Sequence, residues 1–288
     1  MFAEFDLETP ERLEEAVALL ANGNGSTILA LAGGTNLIVD IRARRLAPDR
    51  LVSLSRIGEL RGIRCSDGRI AIGGRTTVSD LLRSAEIARH GASLVEAARV
   101  FGGQMVRNAA TAAGNIACGS PAADLVPPLL SLDADVRLTG TSGSRIVPLA
   151  EYFTGYKTDV RRADELITEI SWAVPAPRSA NRFYKLARRK GDAITVTGVA
   201  VSLTVAAGVC AAARIALGAV SPVAMRARGA EALIEGQALT PALIDEAGRR
   251  ASEECRPIDD VRASADYRRH TVHMLTRRLV SEAWARLA

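Results

Sequence analysis

The stretch STILALAGGTNL, Ser26 to Leu37, runs an aliphatic segment directly into a pair of glycines. Ser26–Leu31 reads as a short buried strand, and Ala32-Gly33-Gly34-Thr35-Asn36 as the loop that leaves it. Paired glycines admit positive φ and leave no Cβ between the main chain and a bound anion. Successive N–H groups turned inward then make a nest for phosphate, with the Thr35 hydroxyl as a further donor. By itself this grammar also describes an ordinary turn. It recurs at Thr111-Ala112-Ala113-Gly114-Asn115-Ile116: a hydroxyl, small residues, a glycine, then an amide before an apolar position. Two such loops can grip a diphosphate from both sides.

Upstream of the first loop, Leu13, Val17 and Leu20 recur at helical spacing as far as Gly23, with Thr9 as the expected N-cap and Pro10 at the first helical position. Downstream, strands are expected at Leu51–Leu54, Arg69–Ile72, Asp135–Thr139 and Leu166–Trp172, and helices over Val78–Leu82, Leu94–Val100 and Ala122–Leu132. The segment Val174-Pro-Ala-Pro-Arg-Ser-Ala180 interrupts both periodicities. A boundary is expected there, giving one domain over residues 1–175 and a second over 176–288. The second opens with a strand at Arg182–Leu186 and ends in helices near 224–235, 240–254 and 264–287, the last capped by Ser264. Between these, Ala193–Ala213 carries no charge and has to be weighed as a membrane span. Its Val, Ile and Thr content, partial alternation and break at Gly208 favour two long antiparallel strands joined by an Ala-Ala-Gly turn over a helix in lipid.

The 288 residues are about twice a typical domain. An apolar share of 48% and a charged share of 24% belong to a globular protein and exclude disordered, collagen-like and coiled-coil chains. The net charge is +5, but only Lys157, Lys185 and Lys190 are lysines, and the arginines are interleaved with 32 acidic residues. Aromatics are few, so neither a clustered nucleic-acid footprint nor a base-stacking platform is present, and no nucleic-acid partner is expected. Cys65, Cys118, Cys210 and Cys255 lie far apart without a C-x-x-C pair. That argues against a disulfide framework, a zinc ribbon or a four-cysteine iron–sulfur cluster, and suits a reducing, cytoplasmic compartment. The opening MFAEFDLETPERLEEA lacks the basic and apolar regions of a signal peptide, so the mature chain is expected to start at Met1. A P-loop, a G-x-G-x-x-G fingerprint and a sensible Ser/His/Asp grouping are all missing. His270 and His273 read as solvent or packing residues of the last helix, and no metal site is expected.

Five separated segments, AGGTNL (32–37), FGGQMVRNAATAAGNIACGSPAADLVP (101–127), YFTGYKTDVRRADELITEI (152–170), YKLARRKGDAI (184–194) and SADYRR (264–269), share their order and spacing with one family. Over almost its whole length the chain resembles the FAD-binding medium subunit of the molybdenum hydroxylases, the xanthine dehydrogenase, carbon monoxide dehydrogenase and aldehyde oxidoreductase group. The resemblance implies an α+β architecture. A two-part FAD-binding domain of the vanillyl-alcohol-oxidase (PCMH) type comes first, then a smaller α/β C-terminal domain of the carbon monoxide dehydrogenase flavoprotein type. It implies FAD, held by Ala30, Leu31, Ala32, Gly33, Gly34, Thr35, Asn36 and Leu37 in the first loop and by Thr111, Ala112, Ala113, Gly114 and Asn115 in the second. Asp124 matches an acidic residue that contacts the cofactor, Phe101 an aromatic packed near it, and Ile167 and Lys185 positions that reach the flavin from later strands. A lysine there can stabilise negative charge on the reduced ring. Each has a plainer reading too: Asp124 as a carboxylate at a helix N-terminus, Phe101 and Ile167 as core, Lys185 as a solvated strand residue. Arg188, Arg189 and Asp192 either border the flavin edge or lie on a solvated face.

The function implied is electron transfer within a heteromeric oxidoreductase. A large molybdenum-cofactor subunit hydroxylates substrate, a small subunit with two [2Fe–2S] clusters relays single electrons, and the FAD of this chain passes pairs to NAD or another terminal acceptor. No catalytic acid or base is expected from the chain. Two departures stand out. Ala112 and Ala113 replace the aliphatic residue and first glycine usual in the second loop, and alanine costs about 1 kcal/mol if position 113 needs positive φ. No cysteine-rich insertion is present, so no [4Fe–4S] cluster is assigned. The competing readings are a free-standing flavin oxidase or reductase of the same fold, and an assembly subunit that has lost FAD.

Overall fold

The computed structural model describes residues 4–287; residues 1–3, which include the expected start of the mature chain, and residue 288 lie outside the described residues. Strand β1 (Asp6–Glu8) leads to helix α1 (Leu13–Ala21), which buries Ala16, Val17 and Leu20. The helix starts later than its sequence suggests. Arg12, not Thr9, occupies the N-cap and makes no side-chain cap; the Glu59 carboxylate accepts from the Leu13 N–H at 3.0 Å instead. A tertiary contact has replaced the local one. Strand β2 (Ile28–Leu31), helix α2 (Leu37–Arg42) and strand β3 (Arg50–Ser53) follow, and the strands form a parallel sheet in the order β1-β3-β2.

Strands β4 (Ile63–Ser66) and β5 (Arg69–Gly73) begin a larger antiparallel sheet. A layer of short helices comes next: α3 (Val78–Arg83), α4 (Ala85–His90), α5 (Ala92–Arg99), α6 (Gln104–Ala109), α7 (Ala112–Ala117) and α8 (Val126–Ser131). The expected helix over Ala122–Leu132 is therefore cut back to begin at Val126. Pro127 and Pro128 lack an N–H and fit only a first turn. Residues 121–125 stay irregular as a result, and Asp124 sits on this segment. The sheet is completed by β6 (Asp135–Gly140), β7 (Gly143–Pro148) and, after helix α9 (Leu149–Tyr152) and the small ribbon β8 (Phe153–Gly155) and β9 (Thr158–Asp159), by β10 (Leu166–Ala173), in the order β4-β5-β10-β6-β7.

Strands β11 (Ser179–Ala187), β12 (Thr195–Ala206), β13 (Val209–Gly218) and β14 (Met225–Arg226) make an antiparallel sheet in sequential order. The uncharged run is the expected hairpin, turning through Ala207 (φ +50°) and Gly208 (φ +78°). No described helix is long and apolar enough to cross a membrane. Alternation along β12 and β13 divides two cores: Val199, Val201 and Leu217 belong to one cluster, Ala200 and Ala216 to the other. The first cluster is covered by α10 (Arg228–Ile234), α11 (Pro241–Glu254) and α12 (Ala265–Ala285), whose N-cap Ser264 accepts from the Tyr267 N–H at 3.2 Å as expected.

The second cluster joins this sheet to the earlier helical layer. A Cβ on Gly218 would lie 2.7 Å from Pro127 Cγ, so glycine permits that approach. Asn181 Oδ1 accepts from the Ser93 N–H at 2.7 Å, and the Glu96 carboxylate from the Phe183 N–H at 2.6 Å. Asp133, just after α8, pairs with both Arg214 and Arg226, and Arg226 pairs with Glu231 at 2.6 Å.

Candidate cofactor-binding site

The first loop leaves β2 through Gly33 and Gly34. Gly34 has φ +68°, in the left-handed region that glycine adopts without strain. A Cβ on Gly33 would lie 1.9 Å from the Ala109 carbonyl oxygen, so the missing side chain lets the first loop close onto the residues directly ahead of the second. The main-chain N–H groups of Gly33, Gly34, Thr35, Asn36 and Leu37 find no acceptor among the described residues. Ala30 and Leu31 pair with Val52 and Ser53 in the sheet and hold the loop from behind.

In the second loop the buried Thr111 caps α7, its Oγ1 accepting from the Gly114 N–H at 3.0 Å, and the Ala112 N–H donates to the Thr76 carbonyl at 2.9 Å. Neither Ala112 nor Ala113 has positive φ. The strain expected of alanine at position 113 does not arise, because that residue lies in the first turn of α7, buried beside Gly74. Asn115 Oδ1 accepts from the Leu125 N–H at 3.1 Å and ties this loop to the irregular segment carrying Asp124.

Asn36 and Asn115 line one cavity of about 800 Å³, together with Phe101, Asp124 and Lys185. That volume suits a cofactor-sized ligand. The Asp124 side chain is buried; its Oδ2 lies 2.6 Å from Lys185 Nζ, and its Oδ1 accepts from the Thr195 hydroxyl. Burial pushes the Asp124 carboxyl above its ordinary value, against the opposing pull of Lys185 and of the Thr195 hydroxyl. Lys185 also donates to the Val100 carbonyl at 3.3 Å. Ile167 is buried at the bulge in β10, away from the cavity lining, with its carbonyl oxygen where a Cβ on Gly74 would stand. It backs the second loop. Of the candidate edge residues Asp192 lines the cavity, whereas Arg188 and Arg189 turn to the carbonyls of Val261 and Asp192. His273 lies outside the cavity, 3.1 Å from Asp245.

The opposite wall escaped the residue-by-residue reading. It includes Arg268, at 3% exposure, whose guanidinium donates to the carbonyls of Val196 and Ala219 at 2.7 Å each and to Asp260 at 2.8 Å. Its Nε is buried without a partner among the described residues. Burial alone would raise the Asp260 carboxyl, but the N–H groups of Arg262 and Ala263 and the Arg268 and Arg262 guanidinium groups outweigh it and hold the group down to about 2. One signal was available. Arg268 stands four residues before Val272 on the buried stripe of α12, where a charge needs a partner. Asn36 from the loop of unspent amides and Arg268, with its unpartnered guanidinium nitrogen, line the same cavity, which suits a long polar ligand.

Residues 3–177 match the family described as FAD binding domain in molybdopterin dehydrogenase, and residues 182–283 the CO dehydrogenase flavoprotein C-terminal domain. The chain is 34% identical over 284 residues to the carbon monoxide dehydrogenase medium chain of Hydrogenophaga pseudoflava, spanning 99% of this chain and 98% of that one. It is 34% identical over 241 residues to the nicotinate dehydrogenase FAD-subunit of Eubacterium barkeri, 82% and 81% of the two chains. The solved carbon monoxide dehydrogenase from Hydrogenophaga pseudoflava superposes with a TM-score of 0.96 at 34% identity over 100% of both chains. Quinoline 2-oxidoreductase from Pseudomonas putida 86 does so with a TM-score of 0.92 at 27% identity, over 99% of this chain and 98% of that one.

Proposed function

The chain belongs to the FAD-binding medium subunits of the molybdenum hydroxylases, and on that premise we propose that it is the electron-relay subunit of a three-part enzyme. It binds FAD and forms part of an oxidoreductase. In the proposed complex a large subunit holding the molybdenum cofactor hydroxylates the substrate. A small subunit with [2Fe–2S] clusters delivers the electrons, and this chain hands them to a terminal acceptor such as NAD. Bound FAD supplies the store that takes up single electrons and gives them back in pairs.

The chain's own residues hold and tune. We assign the diphosphate to the free amides of the first loop, Gly33–Leu37, facing the second loop, Thr111–Asn115, with Ala30 and Leu31 held in the sheet and Ala32 packed against the core behind them. Asp124 accepts from a cofactor hydroxyl with the acceptor capacity that Thr195 and Lys185 leave it. Lys185 balances the Asp124 charge and adds positive potential to the cavity, Phe101 supplies an apolar wall, and Ile167 supports the second loop. We read residues 1–175 as the cofactor domain and 176–288 as the domain that closes over it. Because Asp124 is already committed to Lys185, its part is recognition rather than proton transfer. A cytoplasmic setting suits the free thiols of Cys65, Cys118, Cys210 and Cys255.

The observation that carries this reading is the row of unspent amides from Gly33 to Leu37, which starts where Gly33 packs against Ala109. Purification with and without the partner subunits tests it. A yellow protein with stoichiometric FAD is expected, reduced by the complex's substrate only when the partners are present and reoxidised by NAD. Colourless protein, or flavin reduced by a small substrate without partners, would overturn the relay.

A further inference from the structure

Away from the cavity, three side chains of different chemistry meet at the edge of the five-stranded sheet. Cys65 projects from β4, and Glu86 and His90 stand four residues apart on α4, a spacing that places both on one helix face. The Cys65 Sγ, a Glu86 carboxylate oxygen and a His90 ring nitrogen all lie within 4.8 Å of one another. His90 Nε2 and Glu86 Oε2 are 3.8 Å apart, too far for a hydrogen bond. None of the three side chains has another partner among the described residues, so their donor atoms are unspent. The frame beneath them is fixed, because the buried Trp172 indole of β10 donates to the His90 carbonyl at 3.2 Å and pins the end of α4 to the same sheet that carries Cys65.

We propose that Cys65, Glu86 and His90 form a binding site for a thiophilic divalent cation of the zinc type. A thiolate beside an imidazole selects borderline-soft metals, whereas magnesium and calcium take oxygen ligands. Three protein ligands leave a fourth tetrahedral position to water. Zinc distances of about 2.0–2.3 Å require the donor atoms to draw in by roughly an ångström. Cys65 is exposed and Glu86 is 46% exposed, so side-chain rotation supplies that closure without moving the backbone. The sulfur–metal bond forms as the thiol proton leaves to solvent. The ion then ties α4 to β4.

The test uses the full chain, free of affinity tags, loaded with FAD and stripped of metal with a chelator. Titration with cobalt(II) reads the sulfur-to-cobalt charge-transfer band and the visible bands of tetrahedral cobalt, and zinc is then added to displace it. Saturable binding of one ion per chain with the sulfur band is expected. Cys65→Ser should remove that band, and His90→Gln should weaken binding by roughly 100-fold or more, since even residues behind a metal's ligands are worth about 10- to 100-fold. Flavin content should be unchanged in both. Glu86→Gln, a change on an exposed helix face, gives a further reading if either variant fails to fold. Absence of saturable binding, or a sulfur band that survives Cys65→Ser, would overturn the proposal.

Discussion

Lys185 Nζ and Asp124 Oδ2 form a 2.6 Å ion pair almost sealed from water, with 5% and 9% of the two side chains exposed. One residue comes from β11 and the other from the irregular segment ahead of α8, so the pair joins the two halves of the chain while lining the cavity. Lys185→Met leaves a buried carboxyl without its cation and should destabilise the apoprotein by about 3–5 kcal/mol. The double variant Asp124→Asn/Lys185→Met should recover much of that loss. Denaturant unfolding of the four proteins measures the coupling, and simply additive losses would show that the pair does not act as a unit.

Gly34→Val should yield folded protein with little bound FAD. A Cβ at that position meets Leu31 Cδ1 at 3.1 Å and Ile38 Cγ1 at 3.2 Å while φ stands at +68°. The substitution therefore acts by rearranging the loop, and the strain is on the order of 1–2 kcal/mol. Gly33→Ala should be worse, since its methyl meets the Ala109 carbonyl. The ratio of visible to ultraviolet absorbance after purification reports both, and full flavin content in Gly34→Val would contradict the assignment.

Ala113→Gly, which inserts the glycine that the family resemblance leads one to expect, should not tighten FAD binding. Alanine 113 is unstrained in the first turn of α7, so glycine adds only backbone entropy and loses a packed methyl. Thermal unfolding should show a loss of about 0.5–1 kcal/mol. Flavin titration should give an affinity within error of the parent.

Asp260 gives a pH signature. Its carboxyl titrates near 2 in the folded chain and near 4 when unfolded. A depressed folded value stabilises fully above the unfolded one, and that stabilisation is lost as pH falls from about 4 towards 2. The stability difference between the parent and Asp260→Asn should be constant at neutral pH and shrink across this acid window. Denaturant unfolding as a function of pH measures it, and a difference that does not change below pH 4 would contradict the assignment.

Much of the fold was legible because local pattern and final packing agree. The hairpin over Thr195–Gly218 follows from β-branched alternation and a small-residue turn, and α12 from a capped apolar stripe. Where tertiary contacts overrode local signals, the reading slipped. Glu59 supplied the cap expected of Thr9, and two prolines deferred α8. The first loop and Asn115 stand out by residue type, whereas Asp124 and Lys185 are marked only through the family resemblance. Arg268 could be marked only as a charge on a buried stripe, because its partners, the carbonyls of Val196 and Ala219 and the Asp260 carboxylate, lie in no local window.

The cavity draws Asn36, Phe101 and Asn115 from one half of the chain and Asp260 and Arg268 from the other. An occupant that touches both walls works as an adhesive, since its contacts with each half resist their parting. Loading should then slow proteolytic cutting in the connector between Ala173 and Ser179, so the lifetime of that short link becomes a clock for cofactor retention that needs no colour at all.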